Sequence, residues 1–150
     1  LGKKFSHKQH TLLSATEQVK PGSGFYFCPA ERLENFPMQE IDLAVNIASM
    51  QEMNPDMIST YFSMLRERKT KLFYCCNRLE KILPDGTAAR IFEFPWKKED
   101  VFLADEECPW HEFFVGRIGG TNVKFLNLIP IPFLRKYNGV HWHRLAKLSH

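Results

Sequence analysis

DLAVNIASMQEMNPD, residues 42–56, starts as an apolar run and ends in the start signal of a helix. Ile41, Leu43, Ala44, Val45 and Ile47 leave little polar alternation, a pattern that predicts a strand covered on both faces, as in a parallel sheet. Asn54-Pro55-Asp56 then predicts a helix N-terminus. Asn caps free amides, Pro at the first helical position loses no hydrogen bond, and Asp suits the positive end of the helix dipole. Met57, Ile58, Tyr61, Phe62 and Leu65 form one apolar face, with Arg66, Arg68 and Lys69 near its end. Between strand and helix lie Asn46, Ser49, Gln51 and Glu52, a group of polar side chains where a strand would stop.

Working outward, KLFYCCN at 71–77 predicts a strand downstream and GFYFC at 24–28 one upstream, closed by Pro29. The order from Gly24 to Asn77 is therefore strand, connection, strand, helix, strand, which implies an α/β fold with a parallel sheet. HKQHTLLSATEQV, 7–19, has apolar residues at helical spacing and predicts a helix ended by Pro21-Gly22. Beyond Asn77, Pro84-Asp85-Gly86 is a turn between RLEKIL and TAARIFEF, an antiparallel hairpin. VFLAD at 101–105 reads as a strand. The last third is irregular, with strand-like pieces at FFVGR (113–117) and VHWHRLAKL (140–148).

With 150 residues, 44% of them hydrophobic, the chain is of the size of one domain with a real core. The formal charge of +3 is scattered, without runs of like charge, so nucleic acid is not implied. No segment has the 18 or so unbroken apolar residues of a membrane helix. The nearest, FLNLIPIPFL, is broken by Pro130 and Pro132. Cys75 and Cys76 are neighbours in an expected buried strand, so a reducing cytoplasm suits the four cysteines better than disulfides. Neither Pro21-Gly22-Ser23-Gly24 nor Gly116-Arg117-Ile118-Gly119-Gly120 fits a nucleotide-binding loop.

Ligands of open parallel sheets sit at the carboxyl ends of strands. Asn46, Ser49, Gln51 and Glu52 therefore either receive a ligand beside the helix N-terminus or do duller work, with Ser49 and Asn54 capping the helix and Glu52 solvated. A second constellation is Cys108-Pro109-Trp110-His111 with His141 and His143. It has the residue types for a tetrahedral zinc site. A packed Trp110 beside a partly exposed histidine is the commoner outcome, and no residue is assigned to a metal. His111 has the chemistry of a general base near neutral pH.

SMQEMNPDMISTYF, YCCNRLEKILPDGT, FEFPW, ECPWHEFF and HRLAKL, in that order, resemble the C-terminal half of a family of sugar O-methyltransferases dependent on S-adenosylmethionine. The resemblance runs from about Ile41 to the end. Upstream, FYFCPAERLENFPMQEIDLAVN is similar to the third strand, acidic loop and fourth strand of a class I, Rossmann-like methyltransferase. The resemblance implies Ala30 and Glu31 near the cofactor's adenine, and Asn46 to Met50, with Asn46, Ala48 and Ser49 as cofactor contacts, between its methionine end and the acceptor. It implies Glu52 or His111 as catalytic base, with Gln51, Asn77, Arg78, Trp110, His143 and Arg144 around a sugar or glycan acceptor. Arg78 and Arg144 suit an acidic or phosphorylated sugar, or equally ion pairs with Glu80 or Glu93.

Such a fold begins with a strand, a Gly-rich loop and a second strand ending in an acid. None of these precedes Gly24, so the chain is expected to be the C-terminal half of a longer protein, inactive alone. Loss of those strands bares a sheet edge. The Phe25–Cys28 strand is expected to pair with the Asp42–Ile47 strand, or the latter with a second copy in a homodimer. Two other classes remain: a non-catalytic carbohydrate- or protein-interaction domain presenting Trp96, Trp110 and Trp142, and a small zinc-binding protein built on Cys108, His111, His141 and His143.

Overall fold

The computed structural model describes residues 10–12, 25–28, 40–114, 121–126, 128–136 and 139–150. The chain forms two compact units, Leu1–Glu40 and Ile41–His150. In the first, β1 (His10–Leu12) and β2 (Phe25–Phe27) pair in parallel, with Thr11 opposite Tyr26. This corrects one expectation. Residues 10–12 are extended rather than helical, because a strand partner outweighs a weak helical pattern at a short segment. The rest of the expected helix lies outside the described residues. The Phe25–Phe27 strand pairs with β1.

The second unit is built on β3 (Leu43–Ile47), α1 (Pro55–Glu67), β4 (Leu72–Arg78), β7 (Val101–Glu107) and β10 (His141–Lys147). The sheet order is β3-β4-β10-β7. β3 and β4 are parallel, joined by α1, and β10 runs antiparallel to both β4 and β7. The α/β class is as expected. The hairpin is also as expected: β5 (Glu80–Ile82) pairs with β6 (Ala88–Arg90), and Gly86, at φ +86°, makes the turn. Two features of the last third differ. FFVGR begins inside α2 (Pro109–Phe114), its remainder lying outside the described residues. β8 (Thr121–Phe125) and β9 (Ile129–Lys136) form an antiparallel pair. Pro130 and Pro132 disguise β9 in the sequence, yet a strand of a two-stranded sheet has an unpaired edge that tolerates a residue without N–H.

Asn54 caps α1 by accepting from the Met57 amide at 2.9 Å. The helix buries Ile58, Phe62 and Leu65 against one sheet face. Phe62 meets Phe73 and Trp96 edge to face, at centroid distances of 5.4 and 4.8 Å, a geometry that adds to plain burial. The expectation that β3 is covered on both faces fails: Ala44 joins the core, whereas Leu43, Val45 and Ile47 are more than half exposed. Among the described residues β3 bonds only to β4, so it is an edge strand. Its continuous apolar run mixes core positions with positions on the open face.

Candidate functional site at the strand carboxyl ends

After β3 the chain turns at Ala48, which has a left-handed φ of +56° and donates its amide to the Cys76 carbonyl at 2.8 Å. That conformation costs about 1–2 kcal/mol for a residue with a Cβ. It is held by a polar clamp. Asn46 Oδ1 accepts from the Met50 amide (3.3 Å) and from Asn77 Nδ2 (3.0 Å), while Asn46 Nδ2 donates to Ser49 Oγ. Asn77 Oδ1 accepts from the Gln51 amide at 3.1 Å, and Gln51 Oε1 accepts from the Arg78 amide at 2.7 Å. Asn77 is fully buried and Gln51 nearly so. The clamp seats the one-turn 3-10 helix Met50–Glu52 on the end of β4. It answers each buried amide there with a partner.

Glu52 stands outside the clamp. It accepts from Gln51 Nε2 and pairs with Lys81, each at 3.3 Å, and its side chain is about half exposed. Slight burial raises its pKa, but Gln51, Lys81 and the charge of Arg78 more than offset that and leave it lowered. Arg78 Nε is buried and has no partner among the described residues.

Alternation along β4 sends Phe73, Cys75 and Asn77 towards the α1 side and Tyr74, Cys76 and Arg78 to the opposite face. His141 and His143 of β10 lie opposite Arg78 and Cys76 in register, on that same face. The β7–α2 junction brings Cys108 and His111 to them. His111 Nδ1 is 3.5 Å from Cys76 Sγ and 3.5 Å from Cys108 Sγ, and the three atoms all lie within 4.8 Å of one another. The His111 and His141 rings stack at 4.1 Å, 12° from parallel. The Cys108 amide donates to the His141 carbonyl at 2.8 Å, which pins the junction to β10. Tyr74 Oη is 3.1 Å from His143 Nδ1, and His143 Nε2 faces Glu106 at 3.5 Å.

The electrostatics of this pocket of side chains favour neutral forms. Burial, with the neighbouring Cys76 and Cys108 thiols, pushes Tyr74 up to about 12. Burial pushes the Cys76 thiol up, helped by its neighbour Cys108. Burial lowers His111, and burial with the charges of His111 and Arg78 brings His141 down to about 4. Neutral imidazoles accept protons or bind metals. The high thiol pKa argues against an unaided cysteine nucleophile.

The structure thus brings Asn46, Ser49, Gln51 and Asn77 together on one side of the strand ends, and His111, His143 and Cys76 on the other. Arg144 belongs to neither. It is buried on the core side, bidentate to Asp105 at 2.7 and 3.1 Å, with its guanidinium over Phe92 and Phe102. Its guanidinium is therefore committed to Asp105, and the alternative pairing with Glu80 or Glu93 is taken by Arg90. Trp110 is 64% exposed. The alternative zinc quartet of Cys108, His111, His141 and His143 does not converge: His143 faces Tyr74, and His141 stacks on His111 while Cys76 takes the place beside it. Tyr74 and Cys76 escape a reading of the sequence because only their pairing with β10 carries them to His111. Ala30 and Glu31 lie outside the described residues.

For S-adenosylmethionine the described residues do not make a cradle by themselves. Asn46 has its amide committed within the clamp, and neither glycine-containing turn of the sequence fits a nucleotide-binding loop. Comparison of the chain with protein-family models, with curated proteins and with solved structures finds no match.

Proposed function

We propose that Ile41–His150 is the acceptor side of an S-adenosylmethionine-dependent sugar O-methyltransferase of the class I, Rossmann-like kind, with the rest of the cofactor site supplied from outside these residues. One observation carries the reading. The two polar clusters lie on opposite faces near the carboxyl ends of parallel β3 and β4, the region where open α/β sheets receive ligands. Parallel strands joined by a helix, followed by antiparallel pairing, are also what the resemblance of motifs implies. The fold likeness by itself speaks for no reaction.

In this reading the Asn46–Gln51–Asn77 clamp positions rather than touches the acceptor, since its amides are occupied by one another and by backbone. Glu52, ionised and paired with Lys81, is a poor proton acceptor. His111, held neutral by partial burial, is the residue through which the proton of a sugar hydroxyl is drawn. Exposed Trp110, one residue away, offers an aromatic face to a sugar ring, and Arg78 offers charge. We place the protein in the cytoplasm, where thiols remain reduced; among the described residues no disulfide forms, and no helix is long and apolar enough to cross a membrane. The open edge of β3 is offered to a second copy.

The test is transfer of label from methyl-tritiated S-adenosylmethionine to a panel of sugars and glycans by the complete gene product. Labelled sugar, abolished in Trp110→Ala and His111→Gln proteins of unchanged fold, supports the proposal. A folded, cofactor-binding protein that labels no sugar refutes it.

A further inference from the structure

We propose that Cys76, Cys108 and His111 form a binding site for a thiophilic divalent metal, zinc foremost, with a fourth position open. Zinc bonds to sulfur at about 2.3 Å and to imidazole nitrogen at about 2.0–2.1 Å, so the tetrahedral angle sets sulfur and nitrogen about 3.5 Å apart. His111 Nδ1 lies 3.5 Å from both Cys76 Sγ and Cys108 Sγ. Two edges of the coordination polyhedron are therefore present before any ion enters, and the third ligand pair falls within 4.8 Å. Two of the three residues are tied into the sheet. Cys76 sits in the ladder of β4, and Cys108 is tied to β10 through its amide bond to the His141 carbonyl. A site on such elements loses little freedom on closing.

Charge agrees with geometry. Both sulfurs are nearly fully buried. A divalent ion that displaces the two thiol protons leaves two thiolates and a neutral imidazole around it. The net charge is zero, as a buried site requires. The surroundings also have the partners that orient metal ligands. Tyr74 lies beside both thiols and is 3.1 Å from His143 Nδ1, with Glu106 behind His143. The His141 ring stacks on His111 and fixes its plane. Three protein ligands and a vacant position are the arrangement of catalytic rather than closed structural zinc. Metal binding does not depend on the methyl-transfer reading. Where both hold, the ion would polarise the acceptor hydroxyl and lower its pKa, and His111, its lone pair given to the metal, would serve as ligand in place of base.

The experiment adds zinc or cobalt(II) to the reduced, metal-free chain and reads stoichiometry by elemental analysis and cobalt coordination by absorption. Neither readout requires methyl transfer, so failure of the metal site and failure of the enzymatic reading are separable. One metal per chain is expected, with thiolate-to-cobalt charge transfer and intense tetrahedral ligand-field bands. Cys108→Ser and His111→Gln each abolish stoichiometric binding, Cys28→Ser keeps it, and Tyr74→Phe weakens it about 10- to 100-fold. A wild-type chain without stoichiometric metal overturns the proposal. So does a cobalt spectrum unchanged in Cys108→Ser and His111→Gln, whatever the stability of those variants.

Discussion

Replacing Asp100 by Asn removes one negative charge from the most densely bonded carboxylate among the described residues. Its side chain is fully buried, and Arg66 grips it with both terminal nitrogens at 2.8 Å. The Lys97 amide, the Ser149 amide and the Ser149 hydroxyl also donate to it, at 2.8, 2.9 and 3.1 Å. Asn keeps the shape but turns an NH2 towards a donor and leaves the Arg66 guanidinium unneutralised. Loss of one partner from a buried pair costs about 3–5 kcal/mol. At roughly 2–4 °C per kcal/mol for a chain of this length, the melting midpoint falls by roughly 6–20 °C. Burial alone raises the Asp100 pKa, but the bonds from Arg66, Ser149 and Lys97 and the Arg66 charge outweigh it and hold the folded-state pKa well below the usual carboxylate range. The sign follows: the stabilisation is complete above the unfolded-state value near 3.9 and is lost as pH falls from there through the lower folded-state value. Urea unfolding followed by circular dichroism therefore shows a large gap between wild type and Asp100→Asn at pH 7, and a gap that narrows below about pH 4. A gap under about 1 kcal/mol at pH 7, or one that stays constant in acid, refutes the reasoning.

Asn77→Ala leaves the buried Gln51 amide without its acceptor and opens a small cavity, which costs roughly 2–4 kcal/mol; urea unfolding with less than 1 kcal/mol of loss contradicts the clamp. Arg144→Lys forfeits the bidentate grip on Asp105 and the planar stack over Phe92 and Phe102, for roughly 1–3 kcal/mol of destabilisation. An unchanged melting curve returns Arg144 to the candidates for substrate binding. Val45→Lys, on the open face of the edge strand, leaves stability within about 0.5 kcal/mol and lowers self-association in sedimentation velocity. A wild type that stays monomeric over all concentrations removes the second copy as a partner.

How much the sequence reveals depends on how local each signal is. Asn54-Pro55 specifies its cap within four residues, and the structure has it. The Pro84-Asp85-Gly86 turn is equally self-contained, because Asp85 Oδ1 accepts from the Thr87 amide two residues away. β10 shows the opposite. HWHRLAK reads as a marginal strand, yet it lies between β4 and β7 and decides what every functional side chain meets. Asp105 and Arg144 are 39 positions apart, and Glu80 is as good a partner on charge alone. Only the antiparallel register of β10 and β7 sets Arg144 opposite Asp105. Cys76 and His111 are likewise 35 positions apart. Hydrophobic pattern specifies which face a residue takes, whereas sheet order is a global property that pattern does not contain.

Cys75 and Cys76 put that distinction to a direct test, since they are chemically identical neighbours on opposite faces of one strand. Cys75 is wholly buried in the core, beside Phe73 and Ala146, and receives a bond from Asn77 Nδ2 at 3.1 Å. Its thiol is pushed up to about 12 by burial, which Asn77 and Arg144 only partly offset, so it stays protonated and inert. Cys76 faces His111. Cys75→Ser therefore exchanges a packed sulfur for a hydroxyl in an apolar surrounding, at about 1–3 kcal/mol, and leaves the cobalt(II) spectrum intact. Cys76→Ser removes that spectrum. If both substitutions cost stability and neither alters metal binding, β4 has a core on one side and merely packing on the other, and the metal site is wrong. If Cys75→Ser abolishes the spectrum while Cys76→Ser retains it, the faces of β4 are exchanged, and a strand register one residue out of step is the physical reading.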